Sequence, residues 1–142
     1  MTSLPASAEK ASPEQEVLFD IEGQIGIMTL NRPQALNALT LGMVRLMNDR
    51  LSEWEKDDRV QAVLIRGTGG RAFCAGGDVK AVALATRAAD PHEAALARDF
   101  FYEEYRLNHR IFTYPKPYIA LVDGIVMGGG VGVSVHGAFR VV

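Results

Sequence analysis

Cysteine occurs once in the 142 residues, at Cys74, so no intramolecular disulfide can form. That excludes a disulfide-stapled secreted scaffold and suits a reducing interior. Positive charge is also scarce: 15 Lys and Arg against 17 Asp and Glu leave a net charge of -2. Such a chain lacks the basic footprint that would hold it on nucleic acid or an anionic membrane. No stretch approaches the roughly 18 consecutive apolar residues that cross a bilayer. Histidine is limited to His92, His109 and His136, whose spacing from one another and from Cys74 fits no metal-ligand pattern, so no metal is expected. Residues 1–15 (MTSLPASAEKASPEQ) read as a flexible tail. They have neither the apolar centre of a secretory signal nor the arginines of a mitochondrial transit peptide, which points to the cytoplasm.

What is present is the composition of a folded globular domain, 48% hydrophobic and 23% charged, long enough to bury one core but short for a complete multilayer enzyme. Glu16–Glu22 and Gln24–Leu30 read as paired strands separated around Gly23. Thr40 is an N-cap for a helix to about Asp57, with Met43, Leu46, Met47, Leu51 and Trp54 on its buried face. Gln61–Arg66 is a strand, and Val79–Ala89 restarts as helix. Asp90-Pro91-His92-Glu93 combines an N-cap, a proline at the first helical position and an acid at the third, announcing a helix to about Phe112 that Tyr114-Pro115-Lys116-Pro117 stops. Tyr118–Val122 is a buried strand, and Ala138–Val142 begins another. Strands alternating with helices define an α/β class with right-handed crossovers between strand neighbours.

Two loops share one design in which a strand ends, glycines follow and a helix begins: Phe73-Cys74-Ala75-Gly76-Gly77-Asp78 and Met127-Gly128-Gly129-Gly130-Val131-Gly132. N–H groups at the start of a helix have no internal partner, so each loop can offer donors to a negative oxygen. Glycine between strand and helix also serves simply as a tight turn or a close-packing residue, and either loop alone supports both readings. No G-x-x-x-x-G-K-[ST] and no complete dinucleotide fingerprint is present, which lowers nucleotide hydrolysis and hydride transfer. Cys74 has no histidine near it in sequence and reads as a buried apolar residue rather than a nucleophile. In FFYEEYRLNHRIFTY, Phe100, Phe101, Tyr105 and Phe112 are expected to pack on the body. From spacing alone Glu103 and Glu104 read as two surface charges; adjacent helical positions diverge by about 100°, so the alternative is that one faces solvent while the other leans into a cleft, where desolvation raises its pKa.

Together, LNRPQALNAL, RAFCAGGDVKA and KPYIALVDGIVMGGGVG stand in the order found in the crotonase, or enoyl-CoA hydratase/isomerase, superfamily, and from about Gly23 onward the chain resembles it. The resemblance implies a spiral of ββα units: residues 1–15 a tail, residues 16–142 the N-terminal part of a crotonase-like domain. It implies an acyl-CoA thioester lying between the two loops. The oxyanion donors map onto the N–H groups of Gly77 and Gly129. Gln34, Ala35 and Ala38 fall beside the adenine end of coenzyme A, with Ala75, Gly76, Asp78, Val79 and Lys80 along the groove. Hydratases of the family carry a catalytic glutamate where this chain has Gly132. The departure, with FFYEEYRLNH and AFCAGGDVKA, is similar to the 3-hydroxyisobutyryl-CoA hydrolase branch, whose corresponding glutamate is Glu104. That branch implies hydrolysis of an acyl-CoA in valine catabolism, with no cofactor beyond the coenzyme A of the substrate. Its principal acids lie in a PETAIGLFPD-like stretch beyond Val142. The likeness therefore implies about half of a family member, completed by a longer parent chain or a complementing C-terminal half, with assembly into a homo-oligomer as in the family's trimers. A hydratase or isomerase using other acids is the second reading. A non-catalytic fragment that binds coenzyme A, or pairs through the strand at Ala138–Val142, is the third.

Overall fold

The computed structural model describes residues 16–77, 91–135 and 137–142. The tail assigned to residues 1–15, the helix expected over Val79–Ala89 and the N-cap Asp90 lie outside them.

Strands β1 (Val17–Glu22) and β2 (Ile25–Leu30) form an antiparallel hairpin turning at Gly23, whose φ of +63° suits glycine. Parallel pairing then adds β3 (Ala62–Gly67) to β2. After β3 come β4 (Ala72–Cys74) and β5 (Tyr118–Leu121), and β5 pairs parallel with β3. Strand β6 (Ile125–Val126) pairs parallel with β4 in a small second sheet. With β7 (Phe139–Val141) parallel to β5, the main sheet has the order β1-β2-β3-β5-β7. Edge strand β1 alternates buried and exposed positions, whereas β2 is buried along five successive residues, as an interior strand covered on both faces must be.

Helix α1 (Leu41–Glu55) starts where the Thr40 hydroxyl accepts a hydrogen bond from the Met43 N–H at 3.2 Å. Its apolar face, Met43, Val44, Met47, Leu51 and Trp54, is buried, each side chain contributing about 1.5–3 kcal/mol. Leu46, expected on that face, is only half-buried, and Val44 takes its place. Trp54 lies directly on Gly26 of β2, where a Cβ would stand 2.7 Å from the indole ring. Helix α2 (Pro91–Phe112) docks along α1. The Arg110 Nε donates to Asn48 Oδ1 at 2.6 Å, the Tyr114 hydroxyl to the Leu51 carbonyl at 2.6 Å, and the Lys116 ammonium to the carbonyls of Trp54, Asp57 and Val60. Of the aromatics expected to pack inward, only Phe100 does. Phe101, Tyr105 and Phe112 are exposed, because Ala97, Phe100, Leu107 and Ile111 already fill the helix face that meets the body.

Helix α3 (Gly129–Val135) is built from small residues because it lies against backbone. A Cβ on Gly130 would come within 2.1 Å of the Cys74 carbonyl oxygen. The buried Tyr118 hydroxyl donates to the Val133 carbonyl at 2.9 Å, tying α3 to the main sheet. Helix propensity alone makes Gly130→Ala stabilising by about 1 kcal/mol. The contact with Cys74 reverses the sign: we expect a net loss of about 2 kcal/mol in urea unfolding, and unchanged or increased stability would contradict this seating of α3.

Candidate active site

The site is assembled where three loops meet. The first, Asn31–Leu39, begins after β2 and contains a short 3-10 helix, Pro33–Ala35. Its chain reverses through two left-handed residues, Leu36 at φ 54° and Asn37 at φ 57°. The left-handed conformation is uncommon for a bulky side chain such as leucine. Hydrogen bonds hold it. The buried Asn37 carboxamide accepts from the Arg32 N–H at 2.8 Å and donates to the carbonyls of Thr68 at 2.9 Å and Ala72 at 3.0 Å. The Arg32 guanidinium donates to the Ala38 carbonyl at 2.6 Å and pairs with Glu16 at 3.2 Å. The ordered reversal sets Leu36 and Leu39 against the second loop, with Gln34, Ala35 and Ala38 on the same segment.

That second loop follows β4. The Ala75 N–H donates to the Leu36 carbonyl at 3.0 Å, and the Leu39 N–H donates to the Gly76 carbonyl at 2.7 Å. Gly76 has φ +110°, a conformation that excludes most side chains, and a Cβ there would also stand 3.2 Å from the Met127 carbonyl oxygen. The third loop joins β6 to α3. The Met127 N–H donates to the Cys74 carbonyl at 3.1 Å, and Gly128 reverses the chain at φ +49°.

The two glycine loops thus lie against each other. A Cβ on Gly129 would be 3.3 Å from the Gly77 nitrogen, and one on Gly76 would be 3.6 Å from the Gly129 nitrogen. Among the described residues, neither the Gly77 nor the Gly129 N–H has a carbonyl partner. Two unpaired N–H groups in so small a space can both donate to one acceptor. Asp78, Val79 and Lys80, expected along the same groove, lie outside the described residues.

Helix α2 closes one side. Phe100 packs on Gly77, with ring atoms 2.9 and 3.0 Å from where a Cβ would be, and Glu104 Oε2 lies 3.8 Å from the same point. The two adjacent glutamates diverge. Glu103 pairs with Arg106 at 3.2 Å and Arg45 at 3.8 Å, while Glu104 faces Gly77 without an ion-pair partner among the described residues. Burial holds the Glu104 carboxyl above its ordinary value of 4.5. Cys74 is fully buried beneath the loops, and burial, with a smaller push from Glu104, raises its thiol to about 11. It remains a neutral thiol at physiological pH, not a nucleophile.

Sequence reasoning missed two polar residues here. Asn37 carried a signal in its type, since asparagine tolerates left-handed backbone. Asn108 carried one in its spacing, one helical turn beyond Glu104: a Cβ on Gly132 of α3 would stand 2.7 Å from Asn108 Nδ2 and 2.9 Å from Oδ1. A separate groove of about 570 Å³ lies along the outer side of α2, lined by Tyr102, Tyr105, His109 and Arg110 among others and by neither glycine loop. Its arginines are already paired, Arg106 with Glu103 and Arg110 with Glu55, so it offers little free charge. Among the described residues no cluster of His, Cys, Asp and Glu could hold a metal ion.

The profile of the enoyl-CoA hydratase/isomerase family matches residues 25–142. The chain belongs to that family. The mitochondrial 3-hydroxyisobutyryl-CoA hydrolase of Xenopus tropicalis is 59% identical over 126 residues, 89% of this chain and 32% of the relative. The human enzyme of the same name is 50% identical over 127 residues, again 89% and 32%. Among solved structures, a carnitinyl-CoA dehydratase from Mycobacterium thermoresistibile superposes with a TM-score of 0.84 at 54% identity, covering 89% of this chain and 36% of that one. An enoyl-CoA hydratase from Rhodobacter sphaeroides gives 0.81 at 43% identity, covering 88% and 36%. The mixed sheet, parallel apart from its β1–β2 hairpin, is this family's fold. This member spans about a third of the length of the curated relatives it matches, less than the half implied by its motifs. The cytoplasmic location read from residues 1–15 is overturned: the hydrolases it resembles at half or more of the aligned positions are mitochondrial by name. The composition of a short terminal stretch is a weaker guide than similarity across the fold.

The environment of Glu104 has a measurable consequence. Its folded-state pKa lies above its unfolded one, so the protein carries no penalty below the ordinary carboxylate pKa and acquires one as pH rises through the folded value. We expect Glu104→Gln to raise the melting temperature at pH 7 and the gain to vanish below about pH 4. A gain that persists at low pH would show that desolvation of the charge is not its source.

Proposed function

We propose that this chain acts on an acyl-CoA thioester as a hydrolase of the 3-hydroxyisobutyryl-CoA type. The observation that carries the reading is the unpaired Gly77 and Gly129 N–H pair beside a partly desolvated glutamate. The thioester carbonyl oxygen accepts hydrogen bonds from both amides. As water adds to the carbonyl carbon the oxygen becomes an oxyanion, and donors already held in place by the loop–loop contact stabilise it without reorganising. Collapse of the tetrahedral species then releases coenzyme A as thiolate. Glu104, with its raised pKa, is a stronger base than an exposed carboxylate; on this reading it takes a proton from the attacking water and returns it to the departing thiolate. Gln34, Ala35 and Ala38 line the coenzyme A end on this reading, with Ala75, Gly76 and the segment Asp78, Val79 and Lys80 beside the pantetheine. The partner is the acyl-CoA. A C-terminal half, on the same or a complementing chain, supplies the remaining acids.

Hydrolysis is favoured over water addition to an enoyl group by one feature of α3. Its sequence, GGVGVSV, presents no carboxylate, and Gly132 is covered by the Asn108 carboxamide. The resemblance to a dehydratase and a hydratase keeps addition or elimination as the second reading.

Thiol release from 3-hydroxyisobutyryl-CoA, by the chain together with the C-terminal half that supplies the remaining acids, tests the proposal. Gly129→Pro deletes one donor at the first position of α3, where proline suits a helix, and Gly129→Ala, which adds the same Cβ 3.3 Å from the Gly77 nitrogen but keeps the N–H, separates donor loss from crowding. The rate of the proline variant should fall by about 10²–10³-fold with the fold intact by circular dichroism. Glu104→Gln should also lower the rate and flatten its rise with pH. Release equal in Gly129→Pro and the parent chain, or hydration of crotonyl-CoA without thiol release, would overturn the assignment.

A further inference from the structure

Asn108 stands where α2 crosses α3, one turn from Glu104 and seated on Gly132, three residues beyond the Gly129 donor. Its carboxamide oxygen is sealed from solvent and has no hydrogen-bond partner among the described residues. Among the described residues, two nearby hydroxyls on and beneath α3 are engaged elsewhere. The Tyr118 hydroxyl donates to the Val133 carbonyl at 2.9 Å, and the Ser134 hydroxyl donates to the carbonyls of Gly130 at 2.8 Å and Val131 at 3.1 Å. Leu107 and Ile111 of the same helix, and Val133 next to Gly132, are buried and apolar. A buried acceptor left unpaired is costly, and native structures keep one mainly where a ligand or water completes it. Gly132 is needed for this arrangement, since any side chain there would collide with the amide.

We propose that Asn108 is a specificity-determining residue that reads the acyl group: its side-chain oxygen accepts a hydrogen bond from a hydroxyl carried on the acyl chain of the thioester. The inference rests on that hydroxyacyl-CoA reading and names the residue that recognises the hydroxyl. A thioester whose carbonyl oxygen sits at the Gly77 and Gly129 amides has its acyl chain bounded by α2, from which Glu104 and, one turn on, Asn108 face the loops. Glu104 is an acid and is assigned to the reacting water. Asn108 is neutral over the whole working pH range and suits recognition rather than proton transfer. A site with an unpaired acceptor discriminates against a ligand lacking the matching donor, because that ligand leaves the acceptor buried and unsatisfied.

The test measures dissociation constants of 3-hydroxyisobutyryl-CoA and isobutyryl-CoA, which differ only by the hydroxyl, for the chain and for Asn108→Leu, Asn108→Ala and Asn108→Asp. The parent chain should prefer the hydroxylated ligand by about tenfold or more. Leu and Ala should bring the ratio close to one, chiefly by weakening the hydroxylated ligand, and Asp, which retains an acceptor, should restore much of it. Leu removes an unpaired polar atom and should fold at least as well as the parent; Ala provides the same readout if the larger side chain disturbs α3. Binding of both ligands with a ratio unchanged by Leu and Ala would overturn the role of Asn108 and leave the acyl-CoA reading standing. Binding of neither ligand by the parent chain would overturn both.

Discussion

Everything in the site depends on how closely two peptide backbones approach. The loop after β4 and the start of α3 meet with no side chain between them, so that a Cβ on Gly129 or Gly76 would fall 3.2–3.6 Å from the other loop's backbone, and one on Gly130 would overlap the Cys74 carbonyl. This contact sets two amide N–H groups side by side, and the rest of the structure holds it. The antiparallel hairpin and the parallel strands fix the ends from which the loops spring. The reversal through Leu36 and Asn37, braced by three hydrogen bonds of the Asn37 side chain, presses the first loop against Ala75 and Gly76. Tyr118 anchors α3 from beneath. Strain in the Leu36–Asn37 reversal is localised at the site, where such conformations persist because their surroundings over-determine them.

Helix α2 brings to the two loops the side chains that their glycines lack. Its docking on α1 through Arg110, Tyr114 and the residues that follow fixes its rotation, and that rotation divides the adjacent glutamates. Glu103 is committed to Arg106 and Arg45, while Glu104 is left beside Gly77 in a partly dry setting. Positions 100, 104 and 108 form one stripe: an aromatic ring on Gly77, a carboxyl over the same residue, and a carboxamide on Gly132. Apolar cover, acid and neutral polar group thus follow one another along the face that meets the two loops.

Much of this was legible in the sequence. The alternation around Gly23, the Thr40 cap and the proline-led start of α2 all follow from local chemistry that tertiary packing does not override, and the structure places β1, β2, α1 and α2 where those signals stand. The motifs carried the family. What could not be read was anything that depends on distance between segments remote in sequence. The small β4–β6 sheet is made from two stretches too short to have a strand signature, and it exists because their partners stand beside them. The exposure of Phe101, Tyr105 and Phe112 reflects a face already filled by other residues of the same helix. Asn37 and Asn108 look like ordinary polar residues in the chain, and only the fold buries one among carbonyls and the other on a glycine.

The central claim is that the Gly77 and Gly129 amides hold a thioester oxygen. The most direct measurement is the ¹³C chemical shift of the thioester carbonyl in isotopically labelled isobutyryl-CoA, free and bound to the chain. Two donors polarising the carbonyl move the resonance downfield on binding, and Gly129→Pro removes a large part of that shift while the ligand remains bound. A bound ligand whose carbonyl resonance stays at its free position, or shifts equally in the proline variant, would contradict the account.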